Sequence, residues 1–133
     1  MPARPQDAEP FHALHRDFLI LPNAWDAGSA RVVQEAGAKA VATSSAAVAW
    51  AHGYADGHGL PISILVTAVH EIARVVRVPI TVDAEGGYSD DVAQVEKNIA
   101  LLIDAGGVGI NLEDGKLPHE LHLQKIEAAR NAG

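Results

Sequence analysis

Short apolar runs alternate with amphipathic segments along this chain from residue 18 onward. The runs that predict β-strands are at 18–21, 40–43, 80–83 and 108–112. The first run contains no polar residue and is stopped by Pro22, which is typical of a strand buried on both faces. The pattern therefore predicts four strands, each followed by a segment with helical periodicity.

The first two connecting segments carry clear helix signals. Asp26 is placed to cap a helix that ends at Gly37, and Ser63 is placed to begin another. Between them, Ser44 leads into a long polar loop that includes residues 52–57. The second helix is predicted to bury one stripe: Leu65, Val69, Ile72 and Val76.

The second half of the chain repeats the pattern. Asp90 is placed to cap a third helix that ends at Gly106. A last helix is predicted over 122–130, with Leu123 and Ile126 on its buried side. Since strand and helix alternate throughout, the predicted fold class is α/β, with about four βα units and parallel strands joined by right-handed crossovers.

Two architectures compete for such a chain: an open doubly wound sheet and part of a (β/α)₈ barrel. The glycine fingerprint of dinucleotide-binding folds is missing after the first strand, where residues 22–25 read PNAW. Polar residues follow the ends of successive strands, as catalytic residues of barrels do. These residues are Asn23, Ser44, Asp83 with Glu85, and Glu113. The sequence therefore favours a partial (β/α)₈ TIM barrel.

A complete barrel of this kind needs about 250 residues, whereas this sequence has 133. We therefore expect roughly half of the strands to be missing. Strand edges without partners expose N–H and C=O groups. The chain alone is accordingly predicted to be marginally stable, to aggregate or to pair with another chain.

Composition narrows the functional classes. The chain contains 10 basic and 17 acidic residues and carries a formal net charge of -7, without a basic cluster that could follow nucleic acid. It contains no cysteine, which excludes disulfides and thiolate metal sites, and no run long enough to span a membrane. We expect a cytoplasmic single domain over 11–133, preceded by a disordered tail at 1–10.

Two acidic clusters carry the candidate chemistry. Asp83 and Glu85 follow the third predicted strand, and Glu113 follows the fourth. Because parallel strands end at one edge of a sheet, these carboxylates are predicted to lie near one another, and Mg²⁺ is the ion that such oxygen donors suit. Asp26 is better explained as a helix cap, and Tyr88 as either a proton donor or a residue at the barrel rim, with the rim preferred.

Several motifs, in this order and spacing, resemble the isocitrate lyase and phosphoenolpyruvate mutase superfamily, and most closely its small phosphonomutase-like members. The motifs are LPNAWDAGSA at 21–30, TSSA at 43–46, GYADG at 53–57, DAEGGY at 83–88 and GINLED at 109–114. The resemblance implies a (β/α)₈ barrel, commonly with its last helix exchanged between subunits, and hence a homo-oligomer when the full barrel is present.

The resemblance also implies a site. Asp83 would ligate Mg²⁺ directly, while Asp56, Glu85 and Glu113 would hold metal-bound waters. The hydroxyl and N–H groups of Ser44, Ser45 and Ala46 would bind the substrate carboxylate, next to Asp83. The implied activity is that of a lyase or mutase that makes or breaks a C–C or P–C bond of a small 2-oxo acid or phosphonate through an enolate.

The chain departs from the superfamily in one informative place. Isocitrate and methylisocitrate lyases place a cysteine acid in the loop after the fourth strand, whereas residues 115–120 here read GKLPHE. Those two activities are therefore disfavoured. Two alternatives remain: an oxaloacetate-type decarboxylase or hydrolase on the same metal, and a non-catalytic half-barrel.

Overall fold

The computed structural model describes residues 8–133, which form one parallel sheet with helices packed against it. Its elements in chain order are α1 Ala8–Leu14, β1 Asn23–Ala24, α2 Ala27–Glu35, β2 Val41–Thr43, α3 Ser45–Ala51, α4 Ile62–Val75, β3 Ile80–Asp83, α5 Val92–Ala105, β4 Gly109–Asn111 and α6 His119–Asn131. The predicted α/β class and the four parallel strands are confirmed. Within residues 8–133, no helix is both long and apolar enough to cross a bilayer.

The strands lie side by side in chain order, β1-β2-β3-β4, and every neighbouring pair is parallel. The register pairs Ala24 with Thr43 and Asp83 with Asn111. Since all four strands run the same way, their carboxyl ends meet at one edge of the sheet. The polar residues that follow each strand are therefore brought to that edge.

The core lies between the sheet and helices α2, α4 and α5. The predicted stripe of α4 is buried, with Leu65, Val69 and Ile72 fully enclosed. Two sequence signals for helix ends are also confirmed: Asp26 caps α2 through a capping box with Ser29, and Gly106 ends α5. Local capping and tertiary burial thus agree for these helices.

The first strand was predicted over 18–21, and this prediction is wrong. Strand β1 is limited to Asn23–Ala24, and the side chains of Phe18 and Ile20 are 92% and 67% exposed. Among the described strands β1 pairs only with β2, so one of its edges has no neighbour. The run is apolar, but no element of the described structure covers it, and its two largest side chains therefore stay exposed.

The loop predicted after Ser44 is interrupted by helix α3, whose alanine-rich sequence was missed as a helix. Ser44 is the N-cap of α3, and its hydroxyl accepts a hydrogen bond from the Ala47 N–H at 3.3 Å. Alanine has the highest intrinsic helix propensity, so the short helix needs little further stabilisation. Ser44 and Ser45 therefore begin a helix instead of a loop.

Two further helix boundaries differ from the sequence prediction. The N-cap of α5 is Asp91, whose side chain accepts from the Ala93 N–H at 3.0 Å, and Asp90 instead contacts α6. At the amino end, α1 begins at Ala8, so residues 8–10 of the predicted disordered tail are helical. Residues 1–7 of that tail lie outside the described residues.

Helix α6 presents a different face from the one predicted. Leu123 and Ile126 are 51% and 38% exposed, whereas Lys125 and Ala128 are buried. The helix begins at His119, three residues before the predicted start at residue 122. A buried lysine does not register in a search for apolar periodicity, which explains why the wrong stripe was chosen.

Candidate functional site

A cavity of about 310 Å³ lies at the carboxyl ends of the strands. Its polar lining residues come from all four strands and from the residue after β2: Asn23, Thr43, Ser44, Thr81, Asp83 and Asn111. The structure thus brings Ser44 and Asp83, both predicted from sequence, to one concave surface. Such a position is where β/α folds gather their ligands.

Asp83 is held firmly at the end of β3. Its backbone N–H donates to Thr43 Oγ1 at 3.0 Å. Its carboxylate accepts from two backbone N–H groups, that of Ser45 to Oδ2 at 2.9 Å and that of Glu85 to Oδ1 at 3.2 Å. Because both oxygens are fixed by backbone donors while each keeps a free lone pair, the carboxylate is oriented and remains able to bind a cation.

Residues 83–88, which begin at the last residue of β3, form a tight connection that we call the acidic turn. Glu85 and Tyr88 have φ angles of 46° and 59°, in the left-handed region that residues other than glycine rarely adopt, and Gly87 has a φ of 83°. Such conformations cost about 1–3 kcal/mol each and persist only where surrounding contacts enforce them. The acidic turn is therefore a strained segment that the rest of the fold holds in place.

Glu85 is almost fully enclosed, with 2% of its surface exposed. Its Oε2 accepts the backbone N–H of His58, and His58 Nδ1 lies 3.4 Å from the same oxygen. His58 Nε2 accepts the Gly86 N–H at 3.1 Å, which places the ring proton on Nδ1, facing Glu85. Glu85 Oε1 is buried without a hydrogen-bond partner.

Desolvation raises the pKa of Glu85, and the nearby charges of Asp56 and Asp83 raise it further, against the hydrogen bond from His58. Glu85 Oε1 makes no hydrogen bond of ordinary geometry, although the Tyr88 phenol lies close enough for a hydrogen bond to Glu85 to contribute to the raised pKa of Tyr88. A hydrated cation at this carboxylate would supply a stronger partner.

Tyr88 is half-buried, with its ring packed against the core. Its ring packs edge-on against His58, with ring centroids 5.8 Å apart, and its hydroxyl is buried without a hydrogen-bond partner. Desolvation, followed by the negative charges of Glu85 and Asp83, raises the pKa of Tyr88. The phenol therefore keeps its proton, and the choice between a proton donor and a residue at the barrel rim, with the rim preferred, stays a prediction.

A second cavity, of about 450 Å³, lies behind the acidic turn and contains Glu113 together with His58, Tyr88 and Lys125. The Glu113 side chain is exposed, while its backbone N–H donates to the Glu85 carbonyl at 2.8 Å. Asp56 is also exposed, and its Oδ1 accepts the Gly57 N–H. The predicted carboxylates are thus divided: Asp83 faces one cavity and Glu113 lines the other.

No three His, Asp or Glu side chains within residues 8–133 are placed to ligate one ion together. Mg²⁺ does not require this, since it is usually bound through one or two carboxylates and keeps several waters. Asp83, with its fixed oxygens, fits a direct ligand, and the unpartnered Oε1 of Glu85 fits an acceptor for a metal-bound water. The donor set is therefore compatible with Mg²⁺.

The segment proposed to bind substrate lies at the start of α3. The Ser45 N–H is already engaged by Asp83, which couples this segment directly to the candidate metal ligand. Ser44 and Ala46 are half-buried. The Ser44 and Ser45 hydroxyls and the Ala46 N–H are the groups of the predicted set that the Asp83 contact does not use.

Sequence reasoning missed two residues that the structure places at the site. His58 contacts Glu85 and Gly86 from a left-handed position, with φ of 64°. Lys125 reaches the same turn from α6 and is 1% exposed. Apolar periodicity gave no signal for Lys125, because that pattern does not count a lysine as a buried position.

The architecture is that of the phosphoenolpyruvate mutase and isocitrate lyase type of barrel, of which four βα units are present here. Residues 11–133 match the phosphoenolpyruvate phosphomutase family. The chain belongs to this family. Its superfamily comprises lyases and mutases that generally depend on a divalent metal.

Individual relatives agree. The chain is 32% identical to a 2-methylisocitrate lyase of Aeropyrum pernix, across 82% of this chain and 35% of the relative. It is 31% identical to the chloroplastic carboxyvinyl-carboxyphosphonate phosphorylmutase of Arabidopsis thaliana, across 92% and 41%. The crystal structure of a presumed phosphonomutase from Burkholderia cenocepacia aligns with a TM-score of 0.90 and 41% identity, across 96% and 55%. The chain thus spans well under half of these curated relatives and about half of that structure.

Proposed function

We propose that this chain carries the Mg²⁺-binding part of a lyase or mutase site that acts on a C–C or P–C bond of a small 2-oxo acid or phosphonate through an enolate. The observation that carries the proposal is the fixed carboxylate of Asp83. It is tied by hydrogen bonds to Ser45 on one side and to Glu85 on the other. Metal ligand and substrate-binding segment are therefore joined in one rigid unit.

In this proposal each side chain has a distinct task. Asp83 would hold Mg²⁺, and Glu85, with Asp56 and Glu113, would orient the waters that the ion retains. The Ser44 and Ser45 hydroxyls and the Ala46 N–H would bind the substrate carboxylate. The bound ion would supply positive charge where negative charge develops on the substrate as the bond breaks.

The phosphonomutase-like branch is supported over the 2-methylisocitrate lyase activity named for one relative. That chemistry, as the superfamily resemblance implies it, uses a cysteine acid after the fourth strand, and this chain contains no cysteine. Residues 115–120 offer a lysine and a histidine there instead. A reaction that requires no thiol proton donor therefore suits the chain better. Because the chain spans only part of its relatives, turnover remains a proposal for a protein of their full length.

The test is a calorimetric titration of the chain with MgCl₂, alone and with oxalate, which mimics an enolate of a 2-oxo acid. We expect the wild-type chain to bind Mg²⁺ and to bind oxalate only when Mg²⁺ is present. Asp83→Ala should weaken Mg²⁺ binding by at least about a hundredfold. Loss of a residue that only orients a metal ligand costs about 10- to 100-fold in affinity, and loss of the ligand itself should cost at least as much.

Asp104→Ala is the matched control, because Asp104 is an exposed aspartate on α5, away from the strand ends. This variant should bind Mg²⁺ as the wild type does. Equal Mg²⁺ affinities for the wild type and Asp83→Ala would refute the proposed metal site.

A further inference from the structure

Lys125 is the most deeply buried charged group in the described structure that the proposed function does not use. Its side chain is 1% exposed, and its Nζ donates to the Gly86 carbonyl at 2.9 Å and to Asp90 Oδ1 at 3.0 Å. Lysine is almost never fully buried, since removing its charge from water costs several kcal/mol. The free-energy cost of burying this charge must therefore be offset by specific contacts.

The ion pair with Asp90 is a weak reason. Asp90 is 80% exposed, so water screens its carboxylate and limits what the pair contributes to stability. The contact with Gly86 is different, because the Nζ and this carbonyl are both buried. The hydrogen bond joins helix α6 to a backbone group 39 residues earlier in the chain, in the middle of the acidic turn.

The acidic turn needs such support. Its left-handed residues Glu85 and Tyr88 are unfavourable in isolation, and contacts from outside must enforce their conformation. The Gly87 carbonyl accepts from Asn98 Nδ2, and the Gly86 N–H donates to His58. Lys125 supplies the one cationic contact to the backbone of this turn that the described structure contains, and hydrogen bonds from charged donors are about twice as strong as neutral ones.

We infer that Lys125 is a positioning residue: it holds the Gly86 carbonyl so that the acidic turn keeps Glu85 beside Asp83 for metal binding. The metal-binding part of this inference rests on the proposed function. The part that concerns the backbone of the turn does not, so the two are tested separately.

The first measurement is backbone amide hydrogen exchange by NMR, without metal. Two amides report on the turn, since the Gly87 N–H donates to the Ala84 carbonyl and the Glu113 N–H donates to the Glu85 carbonyl. In Lys125→Met both should exchange at least about tenfold faster, as local opening becomes easier. Amides in the middle of α5, such as that of Ile99, should keep their wild-type rates.

Two variants separate positioning from general stability. Lys125→Arg retains a cationic donor and should restore slow exchange at Gly87 and Glu113. Lys97→Met removes an exposed lysine from α5 and should change neither amide. Unchanged exchange in Lys125→Met would overturn the inference. If Lys125→Met does not fold, Lys125→Arg decides: slow exchange at both amides supports the inference, and fast exchange in a folded variant overturns it.

The second measurement is the affinity for Mg²⁺ alone, by calorimetry. Lys125→Met should bind about tenfold more weakly, as is usual when a group that orients a metal ligand is lost, and Lys125→Arg should recover most of the affinity. Asp90→Asn should remain within about twofold of wild type, since its ion pair is exposed. Wild-type affinity in Lys125→Met would refute the metal-binding part. A wild-type chain that binds no Mg²⁺ would refute the proposed function, while the exchange data would still decide whether Lys125 positions the turn.

Discussion

The charged form of Glu85 is unfavourable in the folded protein. The carboxylate is enclosed, one oxygen has no partner, and two other carboxylates repel it. Folding raises its pKa above the ordinary value of 4.5. Folding therefore carries a penalty at every pH where Glu85 is ionised in both states, and this penalty disappears as the pH falls below 4.5.

Glu85→Gln should accordingly raise the free energy of unfolding at pH 7, because the neutral amide does not bear the desolvation penalty of the charge. The gain over wild type should shrink as the pH falls through the raised pKa of Glu85 and should vanish below 4.5. Urea denaturation at a series of pH values, without metal, measures this difference.

The same variant should bind Mg²⁺ more weakly, because the neutral amide lacks the charge that is proposed to orient metal-bound water. A gain in stability with a loss of function is common when a residue at a functional site is replaced. Opposite changes in stability and in affinity would identify Glu85 as a residue kept for function. A variant that is less stable than wild type at pH 7 would contradict this interpretation.

At the scale of elements, two glycines with positive φ, Gly87 in the acidic turn and Gly37 after α2, meet different requirements. Gly87 combines a φ of 83° with close packing, because a Cβ there would lie 2.8 Å from Val95 Cγ1 on α5. Gly37, after α2, has a φ of 98° but open space around it. An added Cβ would therefore cause only backbone strain at Gly37, but both backbone strain and a steric clash at Gly87.

Gly37→Ala should lower the free energy of unfolding by about 1 kcal/mol, the cost of a left-handed alanine. Gly87→Ala should lower it by at least about 2 kcal/mol, because overpacking against Val95 is added to that strain. Chemical denaturation of the two variants gives both values. Equal losses would show that the turn relaxes away from α5 without cost.

At the scale of the whole molecule, the sheet has two edges, β1 and β4, among the described strands. Phe18 and Ile20, beside β1, are large apolar side chains that water surrounds. Exposed apolar groups next to an unpaired strand favour association between molecules. The sequence-based expectation that this chain pairs or aggregates on its own stays a prediction, and this edge is where we expect it to act.

The double variant that combines Phe18→Ser with Ile20→Lys should show less concentration-dependent association than the wild type, as measured by sedimentation velocity. The free energy of unfolding should change little, because neither side chain is part of the buried core. Val32→Ser on α2 is a control, since Val32 is 69% exposed but lies on a helix instead of beside the edge strand. Association that is unaffected by the double substitution but reduced by Val32→Ser would place the contact elsewhere.

The predictions that succeeded were those that rest on local chemistry. The stripe of α4, the capping role of Asp26 and the alternation of strand and helix could be read from the sequence, because helix periodicity and capping are decided by residues a few positions apart. The motifs also predicted the family, since their order and spacing are fixed by the strand ends that they occupy.

The predictions that failed involved partners distant in the chain. Residues 18–21 looked like a strand with both faces buried, yet whether such a run is covered depends on which strands lie beside it. The buried face of α6 was predicted wrongly for a related reason. The ammonium group of the enclosed Lys125 donates to the Gly86 carbonyl, and the periodicity of a helix contains no information about so distant an acceptor.

The sequence by itself determined the α/β class, the parallel strands in chain order and the carboxylates that end them, because these follow from short-range patterns and from the common direction of the strands. Only the tertiary structure decided how those carboxylates are shared between two cavities, which of them is buried without a partner, and which helix holds the acidic turn. The physical reason is that burial and hydrogen-bond pairing are properties of groups brought together by folding, and one local segment cannot encode its distant neighbours.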